Sequence, residues 1–420
     1  MRSLTRFVVV GSVLGVVCLA GVTHGAREMR LRVTADEAAG EDVPVCAVVD
    51  LPEAVRDVAS SDLIVLLRDA GGRQIAPGQV RKLGQGKAEL WWVVPAMKAH
   101  VSSTWQVRLF DARRLSRTPR PALFSWQDTE GQYRDLLFSN KRVTRYMYAH
   151  DTSSDQRRFE TYKPFHQVYD GEQRLTNGPD GASEYVANQI RYPHHRGIFI
   201  GWNKLTFDGK RYDLWHMKNV EQVHQQFEET LAGPVGASST ALIHWNDDKG
   251  EPIVAERRQV TVYRQDDPTV TLLDFYTELT AVRGDVYLDG DPEHAGLQYR
   301  AHNDVADGGA DVKAKYLFHA DGIDPRRDKD LPWVAMSYGL AGRRYSVQHM
   351  NHPDNPKDTI YSAYRDYARF GAFFKKTIKK GETLTLRYRI WVGRGELPSR
   401  ADLATRYAAF ANPPKVEASQ

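Results

Sequence analysis

The sequence predicts a mainly β fold: a small N-terminal β-sandwich, then a large antiparallel β-sandwich of two stacked layers with a short C-terminal helix. Three observations predict it. Short runs rich in β-branched and aromatic residues recur along the chain, among them "DLIVLLRDA", "STWQVRLF", "TVTLLDFYTEL" and "TLTLRYRIWVG". Clusters such as "DAGGRQIAPG" punctuate them, as turns between strands require. Helical periodicity is confined to "LPSRADLATRYAAFA", where Ser399 can cap and Leu403, Tyr407 and Phe410 share a face.

From the N-terminus, residues 1–26 read as a secretory signal. Arg2 and Arg6 precede an apolar run over residues 7–22, and small Gly25 and Ala26 follow. The expectation is export to the periplasm or beyond, with no stable membrane span after cleavage. Cys46 is then the one cysteine left, which excludes an intrachain disulfide and a cysteine-rich metal site. Residues 28–113 have the length and alternation of an immunoglobulin-like sandwich. The basic, proline-containing residues 114–124 read as a linker and 125–412 as the large β domain, while 413–420 read as a disordered tail. A formal charge of +4 over 420 residues, with no basic stripe, argues against nucleic acid as a partner. No glycine-rich dinucleotide motif, Walker loop, HExxH or nucleophile elbow occurs, so no nucleotide cofactor is expected. The oligomeric state has no sequence signal.

Histidine placement is the main functional signal. His166, His194, His195, His216, His224 and His294 sit in "YKPFHQVYD", "YPHHRG", "YDLWHMKN", "QVHQQF" and "EHAGLQYRAH". Histidine titrates near neutrality and is the commonest metal ligand. In a strand, His294, Gly296, Gln298, Arg300 and His302 would share one face. That face is too polar for an apolar core, so it lines either a cleft or the solvent. Pro193 sets His194, His195 and Arg196 at a turn before the apolar Ile198-Phe199-Ile200. A structural role, imidazoles satisfying backbone carbonyls, competes with a site there. Trp202 and Trp215 offer flat platforms for sugar rings, with core packing as the competing role. Carboxylates that can work with the histidines include Asp170, Asp213, Glu293, Asp304, Asp354 and Asp366.

Several ordered strings, "YKPFHQVYD", "HHRGIFIGWNK", "YDLWHM", "QVHQQF", "EHAGLQYR" and "YRDYARFGAFF", together resemble the bacterial PmoA-like family of Planctomycetes and Bacteroidetes, often labelled methane oxygenase. The resemblance spans about residues 162–407 and implies a supersandwich-like body and a role with carbohydrate. Members carry a Trp-His pair before "RDY"; here Ser362 and Ala363 stand there, so that histidine's role does not transfer. The resulting expectation is a secreted carbohydrate-active enzyme that cleaves or rearranges a glycoside or anionic polysaccharide. His166, His195, His216 and His294 are its acid/base candidates. His194, Arg196, Trp202, Trp215, His224, Gln298 and Arg300 are its substrate-binding candidates, the guanidinium forks suiting a carboxylate or sulfate. The histidine cluster leaves room for a divalent metal. A non-catalytic carbohydrate-binding or cell-surface protein is the alternative. A histidine–metal oxidoreductase, as the family label suggests, ranks last.

Overall fold

The structure is a computed structural model and describes residues 29–36, 40–72, 74–114, 123–181 and 185–419. The expected leader, residues 1–26, and most of the expected linker lie outside the described residues. The fold is mostly antiparallel β, with one short C-terminal helix.

The N-terminal strands form one sheet of seven. It runs Gly40–Asp50, Lys87–Met97, Ile75–Gly84, Leu63–Asp69, Ser102–Asp111, Met29–Thr34 and Lys415–Ser419. Leu67, Trp92, Trp105 and Val107 fill its buried face. The strands enclose one core, shared by Leu31, Val45, Val80 and Trp92. One correction follows. The tail expected to be disordered is a strand, with Val33 opposite Val416 in antiparallel register. The polar composition after Pro413 and Pro414 hid an alternation that satisfies the open backbone edge of Met29–Thr34.

The large body stacks a nine-stranded sheet on an eight-stranded one. The centre of the first runs Arg369–Phe373, Ala295–Arg300, Ile198–Trp202, Phe165–Asp170 and Lys141–Met147. The second includes Pro252–Tyr263, Thr269–Ala281, Thr383–Arg394 and Arg343–Asn351. Ile198, Ile200, Trp202, Leu297 and Tyr299 point between the layers and meet Leu273, Phe275 and Ile390. The helix Arg400–Ala411 is capped by Ser399, whose hydroxyl accepts from the Asp402 amide at 3.1 Å, and it buries Leu403 and Phe410. Among the described residues no helix is long and apolar enough to cross a membrane.

The outer face of the nine-stranded sheet positions the candidate site. Period-two alternation turns Phe199 and Gly201 outward, opposite Ile198, Ile200 and Trp202. A Cβ on Gly201 would lie 2.2 Å from the Leu214 carbonyl oxygen, so glycine lets a whole turn rest on the strand. Gly296, at φ +81°, sits beside Gly201 in register. A Cβ there would lie 1.8 Å from the Ala372 carbonyl oxygen, so its space is taken by a neighbouring strand and not by a ligand.

Candidate functional site

Three turns converge over that outer face. The first, residues 192–195, is closed by the His195 amide donating to the Tyr192 carbonyl at 3.0 Å. The second is Asp213 to Met217, closed by the Met217 amide on the Asp213 carbonyl at 2.9 Å. Its aspartate also accepts from the Trp215 and His216 amides at 3.2 and 2.8 Å. The third is Asp291 to His294, where the His294 amide donates to the Asp291 carbonyl at 3.0 Å and Asp291 Oδ1 accepts from the Glu293 amide at 3.0 Å.

The second and third turns use one device. In "DLWH" and "DPEH" an aspartate caps the turn and reaches the histidine three residues on. His216 Nδ1 lies 2.9 Å from Asp213 Oδ2, and His294 Nδ1 lies 2.7 Å from Asp291 Oδ1. Burial works to raise Asp213, but hydrogen bonds from His216 outweigh it and hold the carboxyl below its ordinary value. Burial likewise opposes, and hydrogen bonds from Asn203 and His294 achieve, a lowered Asp291. An ionised carboxylate only accepts, so Nδ1 of each imidazole donates to it and Nε2 is the ring nitrogen left for another partner. The rings of His216 and His294 are 5.0 Å apart between centroids.

His194 joins them, its ring 4.5 Å from that of His216 and 6.4 Å from that of His294. One nitrogen from each of His194, His216 and His294 lies within 4.8 Å of the others, and His194 Nε2 is buried without a hydrogen-bond partner. Burial, then repulsion from His216, pushes His194 far below the ordinary histidine value, so its lone pair is also free. The floor is apolar: Trp215 packs on Phe199 at 4.7 Å, with Phe165 and Met147 alongside. Beneath it Lys163 donates to the Trp215 carbonyl at 2.8 Å. Burial, then Arg196, drives its amine well down toward the neutral form. His195 is buried between Trp215 and Tyr367, and neither ring nitrogen has a partner. On the rim Tyr192, 40% exposed, packs against Tyr367 at 4.7 Å. Glu293 accepts from Tyr364 at 3.1 Å and pairs with Arg365.

The other candidates are elsewhere or otherwise engaged. His166 points between the layers and stacks on Tyr146 at 4.7 Å; burial pushes it well below its ordinary value. His224 packs on Phe227 at 4.5 Å, and its Nδ1 is 3.4 Å from the Tyr146 hydroxyl, so it belongs with His166 and not with the three-histidine cluster. Trp202 is buried in the core and donates to the Phe374 carbonyl at 3.1 Å; Trp215 is a buried floor. Neither presents a face to a sugar. Arg196 is fully buried and donates to the Glu160 and Phe159 carbonyls, capping the helix Asp155–Thr161. Arg300 spends its guanidinium on the Ala301, Tyr367 and Arg191 carbonyls. Gln298 accepts from Arg369 at 3.1 Å. The polar row of the strand Ala295–Arg300 is thus buried, Gln298 meeting Arg369 of the neighbouring strand and Arg300 the carbonyls of Arg191, Ala301 and Tyr367. His302 lies past that strand and caps the short helix Asn303–Asp307. Sequence reasoning missed Asp291, Lys163, Tyr367 and Arg369. The repeated Asp-x-x-His spacing was the available signal for Asp291.

Residues 134–408 match the DUF6807 family. The chain belongs to that family, whose function is unknown. This assignment replaces the PmoA-like one. No curated protein matches the chain. Among solved structures, it is similar to a glycosyl hydrolase family 38 protein from Enterococcus faecalis, with 9% identity and a TM-score of 0.43. The likeness covers 94% of this chain and 47% of that one, so the chain spans about half of that protein's length. A TM-score that low leaves the chemistry to be argued from this chain alone.

Proposed function

We propose that the protein is an exported enzyme acting on carbohydrate, cleaving or rearranging a glycoside in the His194–His216–His294 cleft. The observation that carries this reading is the pair of Asp-x-x-His turns, which hold two imidazoles by carboxylates and bring them together with His194 over an apolar floor. Groups fixed in that way by carboxylates stabilise positive charge, whether a proton in transit or a cation held against a substrate oxygen. Hydrolysis by two opposed carboxylates fits less well. Asp213, Asp291 and Glu293 line the region, and each is already engaged by a histidine or by Arg365. A lyase or isomerising step needs one base, which a histidine of the cluster supplies, and one stabiliser of negative charge. Tyr192, backed by Tyr367, supplies the flat exposed surface a sugar ring stacks on, in place of the buried tryptophans. The basic, then apolar, start of the chain supports export.

The test is incubation of the full chain with neutral and anionic polysaccharides, following unsaturated products, new reducing ends and isomerised sugars. Product formation that disappears in His216→Ala supports the reading. Saturable sugar binding without product assigns the alternative, a non-catalytic carbohydrate-binding protein. Neither binding nor product across the panel overturns the carbohydrate assignment.

A further inference from the structure

We infer that His194, His216 and His294 bind a single divalent transition-metal cation of the zinc type, the positive charge that the proposed reaction centre requires. The inference deepens the reading above and fails separately from it. The donor set is three imidazoles, which suits borderline cations and disfavours oxygen-seeking calcium or magnesium. One nitrogen from each ring lies within 4.8 Å of the others and His194 Nε2 is buried without a partner, and a single cation meets all three at once. Around a tetrahedral ion at ~2.1 Å, ligand nitrogens stand about 3.4 Å apart. The present spacing, within 4.8 Å, closes to that by small rotations of the rings.

The surroundings supply the second, independent argument. A ligating histidine characteristically donates its other ring N–H to a carboxylate, which fixes the tautomer and makes the ligand more basic. Here two of the three do so, at 2.9 and 2.7 Å. Asp291 is itself held by the Asn203 amide at 2.8 Å. Neutral imidazoles leave the ion's two positive charges uncompensated, and the two aspartates balance them without occupying a coordination position. The nearby cations do not compete. Lys163 donates to the Trp215 carbonyl, and Arg196 caps the carbonyl end of a helix. Three protein ligands would leave a coordination position open, as at a catalytic ion and not a closed structural one.

The experiment is calorimetric titration of the chelator-stripped full chain with zinc chloride, checked by cobalt(II) absorption, which reports coordination geometry. One equivalent should bind, with four- or five-coordinate cobalt spectra. His216→Ala and His294→Ala should lose it, and Asp213→Asn should weaken it at least 10-fold while circular dichroism stays native. A folded wild-type chain that takes up no stoichiometric zinc or cobalt overturns the inference. So does unchanged affinity in Asp213→Asn together with both alanine variants. Stoichiometric metal with no sugar turnover leaves the ion in place and removes the carbohydrate reading. Turnover that survives complete metal removal keeps the carbohydrate reading and removes the ion from the reaction centre.

Discussion

His166 and His216 sit on opposite sides of one sheet, and the contrast explains most of the molecule. His166 lies within the strand Phe165–Asp170, faces the second layer, and is packed by Tyr146 and Phe275. Its imidazole is a polar group tolerated in a core, held neutral by burial. His216 lies in a turn on the outer face, partly exposed, with an aspartate fixing its tautomer and two further histidines beside it. The residue type is the same. The difference lies in which face of the layer it meets and in whether a carboxylate sits three residues before it.

The largest expected effect separates these two histidines. His216→Ala or His294→Ala should lower turnover ~10²- to 10⁴-fold with a melting temperature within a few degrees of wild type. His166→Ala should behave in the opposite way, costing about 1–3 kcal/mol of stability while turnover per folded molecule holds. Kinetics paired with thermal unfolding of each variant read both quantities.

The same contrast sorts the arginines. Arg196 adjoins the cleft histidines in sequence, yet its charge is spent on helix carbonyls. Arg196→Ala should therefore cost ~2–4 kcal/mol by leaving buried acceptors unpaired. Denaturant unfolding should show that loss, with activity falling only as the fold is lost. Gly201→Ala sharpens the view of the outer face. Its new Cβ would push the Leu214 carbonyl, and the His216 turn with it, at a cost of about 1–3 kcal/mol. Turnover should fall further than unfolding accounts for, because the aspartate–histidine turn moves as a unit.

The last expected effect is pH-dependent and belongs to the core. Burial pulls His349, beside the Tyr361 hydroxyl at 3.1 Å, down to about 3. Its unfolded counterpart titrates near 6.5, so below that pH the unfolded state binds more protons and stability falls as pH falls. The slope should be about 1.4 kcal/mol per pH unit for each such histidine, continuing down to its folded value. Unfolding measured from pH 7 to 4 should show a shallower slope in His349→Phe than in wild type.

What the sequence made legible follows from local physics. Alternation revealed the strands, and Ser399 with Leu403 and Phe410 located the C-terminal helix. Pro193 and the apolar Ile198-Phe199-Ile200 located the turn before the strand Ile198–Trp202. Period two also put Gly296, Gln298 and Arg300 on one face. It could not say that loops carrying Arg191 and Tyr367 would cover that face and take up its hydrogen bonds. Trp202 was ambiguous for the same reason, since a strand pattern does not tell which face meets the second layer. Asp291 was readable only by comparing "DPEH" with "DLWH", because each motif alone is an ordinary turn. The Met29–Thr34 edge that the C-terminal strand completes lies far from it in sequence and leaves no local trace.

The most direct measurement of the central claim targets the aspartates and leaves the imidazoles in place. In the Asp213→Asn, Asp291→Asn double variant each amide can donate to Nδ1, which moves the proton to Nε2 and removes the lone pairs from the cleft. Turnover relative to wild type is the readout, with circular dichroism and melting temperature to show that the fold is kept. The account predicts a folded protein whose turnover falls ~10³-fold or more. A folded double variant that turns over at the wild-type rate would contradict it.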